Sequence, residues 1–142
     1  MQCYLFVYGT LMKGIPSRMA RFLEQHGSFL GEGSTRGWLY DLGNYPGLVF
    51  DAQAENEVVG HLFSLDHPAA VFAILDTFEG IQPNHSGEYA RVEIPVFFQN
   101  QILYCWVYQY NQNPEGLPVI AQKSYLTYFF DKPTHRRFIE AN

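Results

Sequence analysis

Two short segments of the sequence carry residue types that suit acid–base and anion-binding chemistry. In Tyr8–Leu11, Gly9 follows an apolar run and would let consecutive main-chain N–H groups approach an anion closely. In Leu75–Gly80, Glu79 lies in the last turn of a predicted apolar helix. The carbonyl end of the helix dipole and the apolar neighbours both disfavour ionisation there. We therefore expect the pKa of Glu79 to rise toward neutrality, where a general base works.

Each segment also has a purely structural interpretation. Gly9 could simply form the turn that ends a strand, and Glu79 could point from its helix into water. Residue types alone do not separate these alternatives. The two segments are far apart in the chain, so only the fold can bring them to one place.

Hydrophobic periodicity and turn residues predict the elements of the first half of the chain. A buried strand over Gln2–Tyr8 ends at the first of the two segments. Ser17 is a candidate cap for a short amphipathic helix that continues through His26 and stops at Gly27. Brief apolar runs within residues 31–65, separated by Gly and Pro, are typical of strands joined by turns.

The second half predicts a well-defined helix and a hairpin. Asp66 is a candidate N-cap for the helix, and Gly80 ends it. Its predicted first-turn proline and apolar face are Pro68, Val71, Phe72, Leu75 and Phe78. The hairpin joins two strands across Gln99-Asn100, and Pro95 indicates an edge strand or a bulge. The predicted strands are Tyr89–Phe98 and Gln101–Tyr110.

The order of these elements favours an α+β fold with a strongly curved sheet. Strands and helices do not alternate as βαβ units, so a doubly wound parallel sheet is disfavoured. No linker, repeat or low-complexity tract interrupts the chain, and residues 1–142 are predicted to form a single domain. One further helix is predicted in the last part of the chain. Aromatic residues there either close a cavity or pack on the sheet: Tyr125, Tyr128, Phe129 and Phe130.

Composition excludes several classes of protein. The chain has 142 residues, 17% of them aromatic and only 16% charged, so it can bury one substantial core and is not disordered. Nine basic residues against 14 acidic ones give a net charge of −5. That balance lacks the positive charge that phosphate backbones or anionic lipids attract. Neither a nucleic acid nor a membrane is expected as a partner.

Targeting signals and familiar cofactor motifs are also missing from the sequence. The apolar stretch Cys3–Tyr8 is far shorter than the roughly 20 residues that span a bilayer. Cys3 and Cys105 lie in alternating apolar segments typical of free thiols, which predicts a reduced, cytoplasmic protein. No dinucleotide loop, P-loop or serine-hydrolase elbow occurs, and the five histidines form no H-x-x-x-H or H-x-H pair. We predict neither a metal site nor a cofactor.

Four motifs occur in an order and spacing that are informative together. They are Val7-Tyr8-Gly9-Thr10-Leu11, Gly43-Asn44-Tyr45-Pro46-Gly47, Leu75-Asp76-Thr77-Phe78-Glu79-Gly80 and Tyr89-Ala90-Arg91-Val92. On these motifs the sequence resembles the γ-glutamylcyclotransferase-like family, which includes the γ-glutamylamine cyclotransferases. The resemblance implies a small mixed β-barrel flanked by helices, in which the first motif and Glu79 meet at one cavity.

The resemblance also implies a reaction. The α-amine of a small γ-glutamyl amide, either a γ-glutamylamine or a γ-glutamyl amino acid, attacks its own γ-carbonyl to give 5-oxoproline and a free amine. Glu79 would take a proton from the α-ammonium and return it to the departing nitrogen, with no metal or covalent nucleophile. The N–H groups of Gly9, Thr10 and Leu11 would hold either the substrate α-carboxylate or the developing oxyanion.

Other residues near these motifs have alternative roles. Tyr108 either contributes a hydroxyl to the cavity or belongs to ordinary sheet packing. Arg91 either binds a substrate carboxylate, lies exposed on its strand, or pairs with an acid such as Glu93.

Asp76 and the turn at Tyr45-Pro46 also have two possible roles each. Asp76 lies three residues before Glu79, so it either raises the pKa of that carboxyl or is a solvated surface residue. Tyr45-Pro46 either shapes a turn or shields the reacting amine from water.

Two other functions are open to such a sequence. One is a non-catalytic module on the same fold that binds a small anion through the loop amides. The other is a binder of single-stranded nucleic acid that uses exposed tyrosines, because stacking needs few cations. The net charge of −5 argues against the second.

Overall fold

The computed structural model describes residues 2–84 and 86–141. Within these residues the strands are β1 Tyr4–Val7, β2 Ser28–Asp41, β3 Pro46–Phe50, β4 Glu57–Ser64, β5 Tyr89–Phe98 and β6 Gln101–Tyr110. The helices are α1 Arg18–His26, α2 Pro68–Phe78, α3 Tyr125–Phe130 and α4 Pro133–Ala141. The predicted polar loop between α2 and β5 includes His85, which lies outside the described residues.

Five strands close into a barrel of mixed strand direction. Their order is β1-β4-β2-β3-β6, and the ring closes where β6 pairs with β1 in parallel, Leu5 opposite Trp106. Strand β3 also pairs with β6 in parallel, whereas the pairs β1–β4, β2–β4 and β2–β3 are antiparallel. Strand β5 is the sixth strand; it pairs along its length with β6 and also pairs with β2, where Ser34 lies opposite Phe97. The predicted α+β class, with a small mixed barrel flanked by helices, is confirmed.

The hairpin lies where the sequence predicts it. Gln99 and Asn100 have φ angles of 49° and 65°, the left-handed conformation that a two-residue hairpin turn with the twist of the strands requires. The register runs without interruption from the pair Tyr89–Tyr110 to the pair Phe98–Gln101. Pro95 lies on β5, the outermost strand of the sheet order, as its missing N–H predicts.

The apolar runs predicted as strands after Gly31 do lie in strands, but the first of these strands is not brief. The structure has one 14-residue strand, β2, which begins before that glycine. The glycines bend this strand without ending it: its register with β4 shifts between Phe29 and Gly31. At Gly37 a Cβ would lie 2.4 Å from the Val49 carbonyl oxygen, so only glycine permits the close pairing with β3. The curved strand pairs with β4 and then with β3, and so wraps around the barrel.

Helix α1 forms as its cap residues predict. The hydroxyl of Ser17 accepts a hydrogen bond from the amide of Ala20 at 3.1 Å, and the helix ends at Gly27. Met19, Ala20 and Leu23 are its buried residues and face the core. The short helix is therefore held by its cap and by one apolar stripe.

Helix α2 differs from its prediction at both ends. The predicted N-cap Asp66 is wrong: His67 takes that position and its side chain makes no capping hydrogen bond. Pro68 begins the helix and has no N–H to be capped, which lowers the need for a side-chain cap. At the other end Phe78 is 50% exposed rather than part of the buried face, because it borders a cavity.

Two helices occupy the end of the chain, where the sequence predicts one. A buried polar cluster ties them to the end of β2. The hydroxyl of Tyr125 and Nδ1 of His135 are joined at 2.6 Å, and Nε2 of His135 lies 2.8 Å from Oδ1 of Asp41. The hydroxyl of Tyr128 donates to Asp41. Burial raises the pKa of Asp41, but the hydrogen bonds from Tyr128, the Gly43 amide and His135 outweigh it and hold that pKa below its ordinary value.

Both cysteines are free, Cys105 buried and Cys3 partly buried. Burial raises the pKa of Cys105 to about 12, so its thiol stays un-ionised. No helix within residues 2–84 and 86–141 combines the length and the apolar character needed to cross a bilayer.

Candidate functional site

A cavity of about 250 Å³ lies at the end of β1. This volume is just below the roughly 300–1,000 Å³ of pockets for drug-sized ligands, which suits a smaller molecule. The residues that line it are Phe6, Val7, Tyr8, Gly9, Thr10, Leu11, Ser17, Arg18, Met19, Tyr45, Pro46, Phe78, Glu79, Glu88, Tyr89, Tyr108, Phe138 and Ile139. All six residues that the sequence analysis assigns to a site are among them, so the fold brings both candidate segments to one place.

The loop Tyr8–Leu11 turns sharply beneath the cavity. The amide of Met12 donates to the Gly9 carbonyl oxygen at 3.0 Å, and the Ser17 hydroxyl donates to the Thr10 carbonyl oxygen at 2.6 Å. The amides of Gly9, Thr10 and Leu11 donate to no group in the described part of the chain. Three main-chain donors are thus available to a ligand in the cavity.

A close contact explains the glycine in this loop. A Cβ on Gly9 would stand 2.7 Å from Cγ of Pro46, which also lines the cavity. The proline turn therefore does more than connect β2 to β3: it packs directly against the loop. Any larger residue at position 9 would displace either the loop or the proline.

Glu79 lies directly after α2, as its C-cap, rather than within the last turn. Its amide donates to the Leu75 carbonyl oxygen at 2.8 Å, which holds the residue against the helix end. Its side chain is partly buried and borders the cavity, and its carboxylate has no hydrogen-bond partner among residues 2–84 and 86–141. Burial, then the charges of Glu88 and Asp76, raise its pKa to about 8.

Tyr108 links the cavity to Asp76 on α2. Its hydroxyl donates to Oδ1 of Asp76 at 2.7 Å, and its carbonyl oxygen accepts from the Tyr8 hydroxyl at 2.6 Å. Asp76 also accepts from Nε of Arg91 at 2.9 Å. Asp76 is therefore not the solvated surface residue of one alternative, and Arg91 pairs with it rather than with Glu93.

Sequence reasoning missed several residues of the cavity. Glu88 follows a polar loop and accepts from the Tyr45 hydroxyl at 2.8 Å, and Tyr89 donates to the Pro46 carbonyl oxygen at 2.6 Å. Phe138 and Ile139 reach the cavity from α4. Tyr89 begins the motif Tyr89–Val92 and Glu88 directly precedes it, so this motif could have marked both residues. Nothing local to α4 marks its part in the site.

The four aromatic residues predicted either to close a cavity or to pack on the sheet lie away from the cavity. Tyr125, Tyr128, Phe129 and Phe130 are absent from the cavity lining, and Tyr125 and Phe129 are buried in the core. Tyr125 and Phe129 therefore pack in the core, and Tyr128 packs against it, whereas Phe130 is 53% exposed. In the part of the chain that the structure describes, no group of three or more His, Cys, Asp or Glu side chains is placed to hold a metal ion.

Comparison with known proteins supports the resemblance to the γ-glutamylcyclotransferase-like family over most of the chain. A family model described as gamma-glutamyl cyclotransferase, AIG2-like, matches residues 5–127. A Vibrio cholerae serotype O1 protein, provisionally named a gamma-glutamylcyclotransferase, is 35% identical over 114 residues, which are 79% of this chain and 85% of that protein.

Solved structures share the fold. A mouse AIG2-like protein superposes with a TM-score of 0.65 at 27% identity, over 87% of this chain and 88% of that one. YkqA of Bacillus subtilis superposes with a TM-score of 0.67 at 22% identity, over 94% of this chain. This chain spans only 44% of the length of YkqA, and the likeness there concerns the fold alone.

Proposed function

Because the chain belongs to the gamma-glutamyl cyclotransferase, AIG2-like family of enzymes, we propose that it converts a small γ-glutamyl amide to 5-oxoproline and a free amine. The substrate is a γ-glutamylamine or a γ-glutamyl amino acid. Its α-amine nitrogen forms a bond to its own γ-carbonyl carbon, and the bond from that carbon to the leaving nitrogen breaks. Both reacting groups belong to one molecule, so the protein has to hold a folded conformer and move a proton.

Glu79 moves that proton. The observation that carries the proposal is its carboxyl, which lines the same cavity as the loop of residues 9–11 and has a pKa raised to about 8. Such a group accepts a proton from the α-ammonium near neutral pH and returns it to the departing nitrogen. The chemistry uses no metal and no covalent enzyme intermediate.

The loop and two tyrosines bind the substrate. The amides of Gly9, Thr10 and Leu11 donate to a carboxylate or carbonyl oxygen of the glutamyl group, where negative charge is present or develops. Tyr8 and Tyr108 line the same cavity, and their buried hydroxyls are fixed by hydrogen bonds. The two free cysteines support a cytoplasmic location for this reaction.

Product analysis tests the proposal. Wild type is incubated with a panel of γ-glutamylamines and γ-glutamyl amino acids, and 5-oxoproline is quantified. We expect Glu79→Gln to lower kcat/KM by about 10²- to 10⁴-fold, the range for loss of a general acid–base group. Glu24→Gln, an exposed glutamate on α1, is the matched control and should match wild type.

The pH profile is a second readout of the same experiment. Because the deprotonated carboxyl is the base, kcat/KM should rise with pH through about 8. Equal turnover by wild type and Glu79→Gln would remove Glu79 from the mechanism. Binding of the panel without any 5-oxoproline would leave a non-catalytic binding module on this fold.

A further inference from the structure

Arg91 reaches the site from outside the cavity. It lies on β5 opposite Tyr108 of β6, and it is not among the residues that line the cavity. Its Nε donates to Oδ1 of Asp76 at 2.9 Å, and its Nη2 donates to Oδ2 of the same residue at 3.3 Å. One guanidinium therefore contacts both oxygens of one carboxylate, a geometry that fixes the orientation of that carboxylate.

Two aromatic rings hold the guanidinium in this position. Its Cζ lies 4.0 Å from the ring centroid of Phe72 and 4.8 Å from that of Trp106. Phe72 is one turn before Asp76 on α2, and Trp106 lies on β6. The side chain of Arg91 is only 25% exposed. The cation is thus fixed between a helix and a strand, and it would lose both ring contacts if it left Asp76.

Both carboxylate oxygens of Asp76 are occupied by donors, whereas those of Glu79 are not. Oδ1 of Asp76 also accepts from the Tyr108 hydroxyl at 2.7 Å. Glu79 follows Asp76 by three residues, a spacing that makes the two side chains neighbours on a helical surface. The Glu79 carboxylate has no hydrogen-bond partner among residues 2–84 and 86–141. The two acids therefore lie close together but are held apart in their hydrogen bonding.

An Asp76 carboxylate without its donors would be free to accept a proton from Glu79. Neighbouring carboxyl groups that cannot both ionise share one proton, which the ionised group holds on the protonated one. The charge of Asp76 already raises the pKa of Glu79, after the larger effects of burial and of Glu88. A hydrogen bond between the two acids would raise it further. The Arg91 guanidinium occupies the oxygens that such a bond needs.

The other titratable groups around Glu79 do not take over this role. Those that share its cavity are Tyr8, Arg18, Tyr45, Glu88, Tyr89 and Tyr108. Burial raises the pKa of each of the four tyrosines above its ordinary value, so their hydroxyls stay neutral near pH 7. Arg18 and Glu88 are exposed to solvent, which screens their charges. Asp76 is therefore the partly buried charge whose orientation matters for Glu79.

We propose that Arg91 is a positioning residue for the reaction: it holds the Asp76 carboxylate against itself and Tyr108, and so prevents Asp76 from sharing a proton with Glu79. Glu79 then gains and loses its proton as a single group, as a base that shuttles one proton must. The inference rests on the proposed function for the role of Glu79 as that base. The titration of its carboxyl can be measured without turnover.

Direct titration of Glu79 in the intact protein tests the proposal. Carbon-13 NMR of protein labelled at the glutamate carboxyl carbon follows its ionisation, and the signal that Glu79→Gln lacks identifies it. Arg91→Gln should move the midpoint upward by about 1 pH unit, because Asp76 becomes an acceptor for the proton of Glu79. Arg91→Lys keeps the charge but cannot hold both oxygens, so it should give a smaller rise of the same sign.

Variants of Asp76 separate orientation from charge. Asp76→Asn removes the negative charge, so the midpoint of Glu79 should fall below that of wild type. In the Asp76→Asn background, Arg91→Gln should move the midpoint by less than about 0.3 pH unit, because no second carboxylate remains to share the proton. Arg137→Gln, an exposed arginine on α4 that does not line the cavity, is the matched control and should titrate as wild type.

The pH profile of kcat/KM gives a second readout. In Arg91→Gln the deprotonated fraction of Glu79 at pH 7 should be about tenfold lower than in wild type, and kcat/KM at pH 7 should fall by the same factor. The loss should disappear as the pH rises to about 10. A purely structural defect would lower kcat/KM at every pH.

Three results bear on the proposal in different ways. An unshifted midpoint in Arg91→Gln would overturn it, and if that variant does not fold, an unshifted midpoint in Arg91→Lys would do so. Equal shifts with and without Asp76 would also overturn it, because Arg91 would then act directly through its own charge. Absence of 5-oxoproline from wild type together with the expected titration shifts would overturn only the proposed reaction.

Discussion

The carboxyl at the cavity destabilises the folded chain at alkaline pH, and Glu79→Gln should remove that effect. Burial, followed by the charges of Glu88 and Asp76, raises the pKa of Glu79 from 4.5 to about 8. In the unfolded chain the carboxyl regains its ordinary pKa. Between these two values the folded state holds a proton that the unfolded state has released, so the stability of wild type falls as pH rises from 4.5 to 8.

The size of the effect follows from the pKa difference. At 1.36 kcal/mol for each pKa unit, the rise from 4.5 to about 8 corresponds to roughly 5 kcal/mol over the full window. About 4 kcal/mol of this falls between pH 5 and pH 8.5. That is a large share of the 5–15 kcal/mol by which ordinary domains are stable. Glutamine has no charge to desolvate, so the variant lacks this pH dependence.

Urea unfolding at pH 5 and pH 8.5 measures this pH dependence of the free energy of unfolding. The free energy of unfolding of Glu79→Gln minus that of wild type should increase by about 4 kcal/mol from the lower to the higher pH. The same difference for the exposed Glu24→Gln should not change with pH. A difference for Glu79→Gln that stays constant within about 0.5 kcal/mol would show that the carboxyl is solvated, and the reasoning about the site would be refuted.

Two further changes test the packing of the loop and the buried cluster at Asp41. Gly9→Ala places a methyl group 2.7 Å from Cγ of Pro46. We therefore expect thermal unfolding to show that the free energy of unfolding falls by about 1–3 kcal/mol, and kcat/KM should fall as well. Wild-type values of both would contradict the packing argument. Asp41→Ala leaves His135 and the Tyr128 hydroxyl without their buried acceptor. The free energy of unfolding in urea should therefore fall by about 3 kcal/mol. A decrease below about 1 kcal/mol would show that the cluster does not stabilise the fold.

Much of the candidate site was predictable because its causes are local or lie in short motifs. The turn at Gln99-Asn100 needs two residues that tolerate positive φ, and Ser17 caps α1 through its own third neighbour. The loop Tyr8–Leu11 and Glu79 were recognisable from their motifs, and the resemblance indicated that they meet. Their catalytic and binding roles stay predictions until activity is measured.

The sequence by itself determined the hairpin, the first helix, the family and the two segments that carry the proposed chemistry. Only the tertiary structure decided which groups surround Glu79 and how they change the pKa of its carboxyl. The positions of Glu88 and of Asp76 paired with Arg91 depend on closure of the barrel, as do the hydrogen bonds of the tyrosine hydroxyls and the wall that α4 contributes. A pKa is set by distances and burial in three dimensions, and those distances join residues that are remote along the chain.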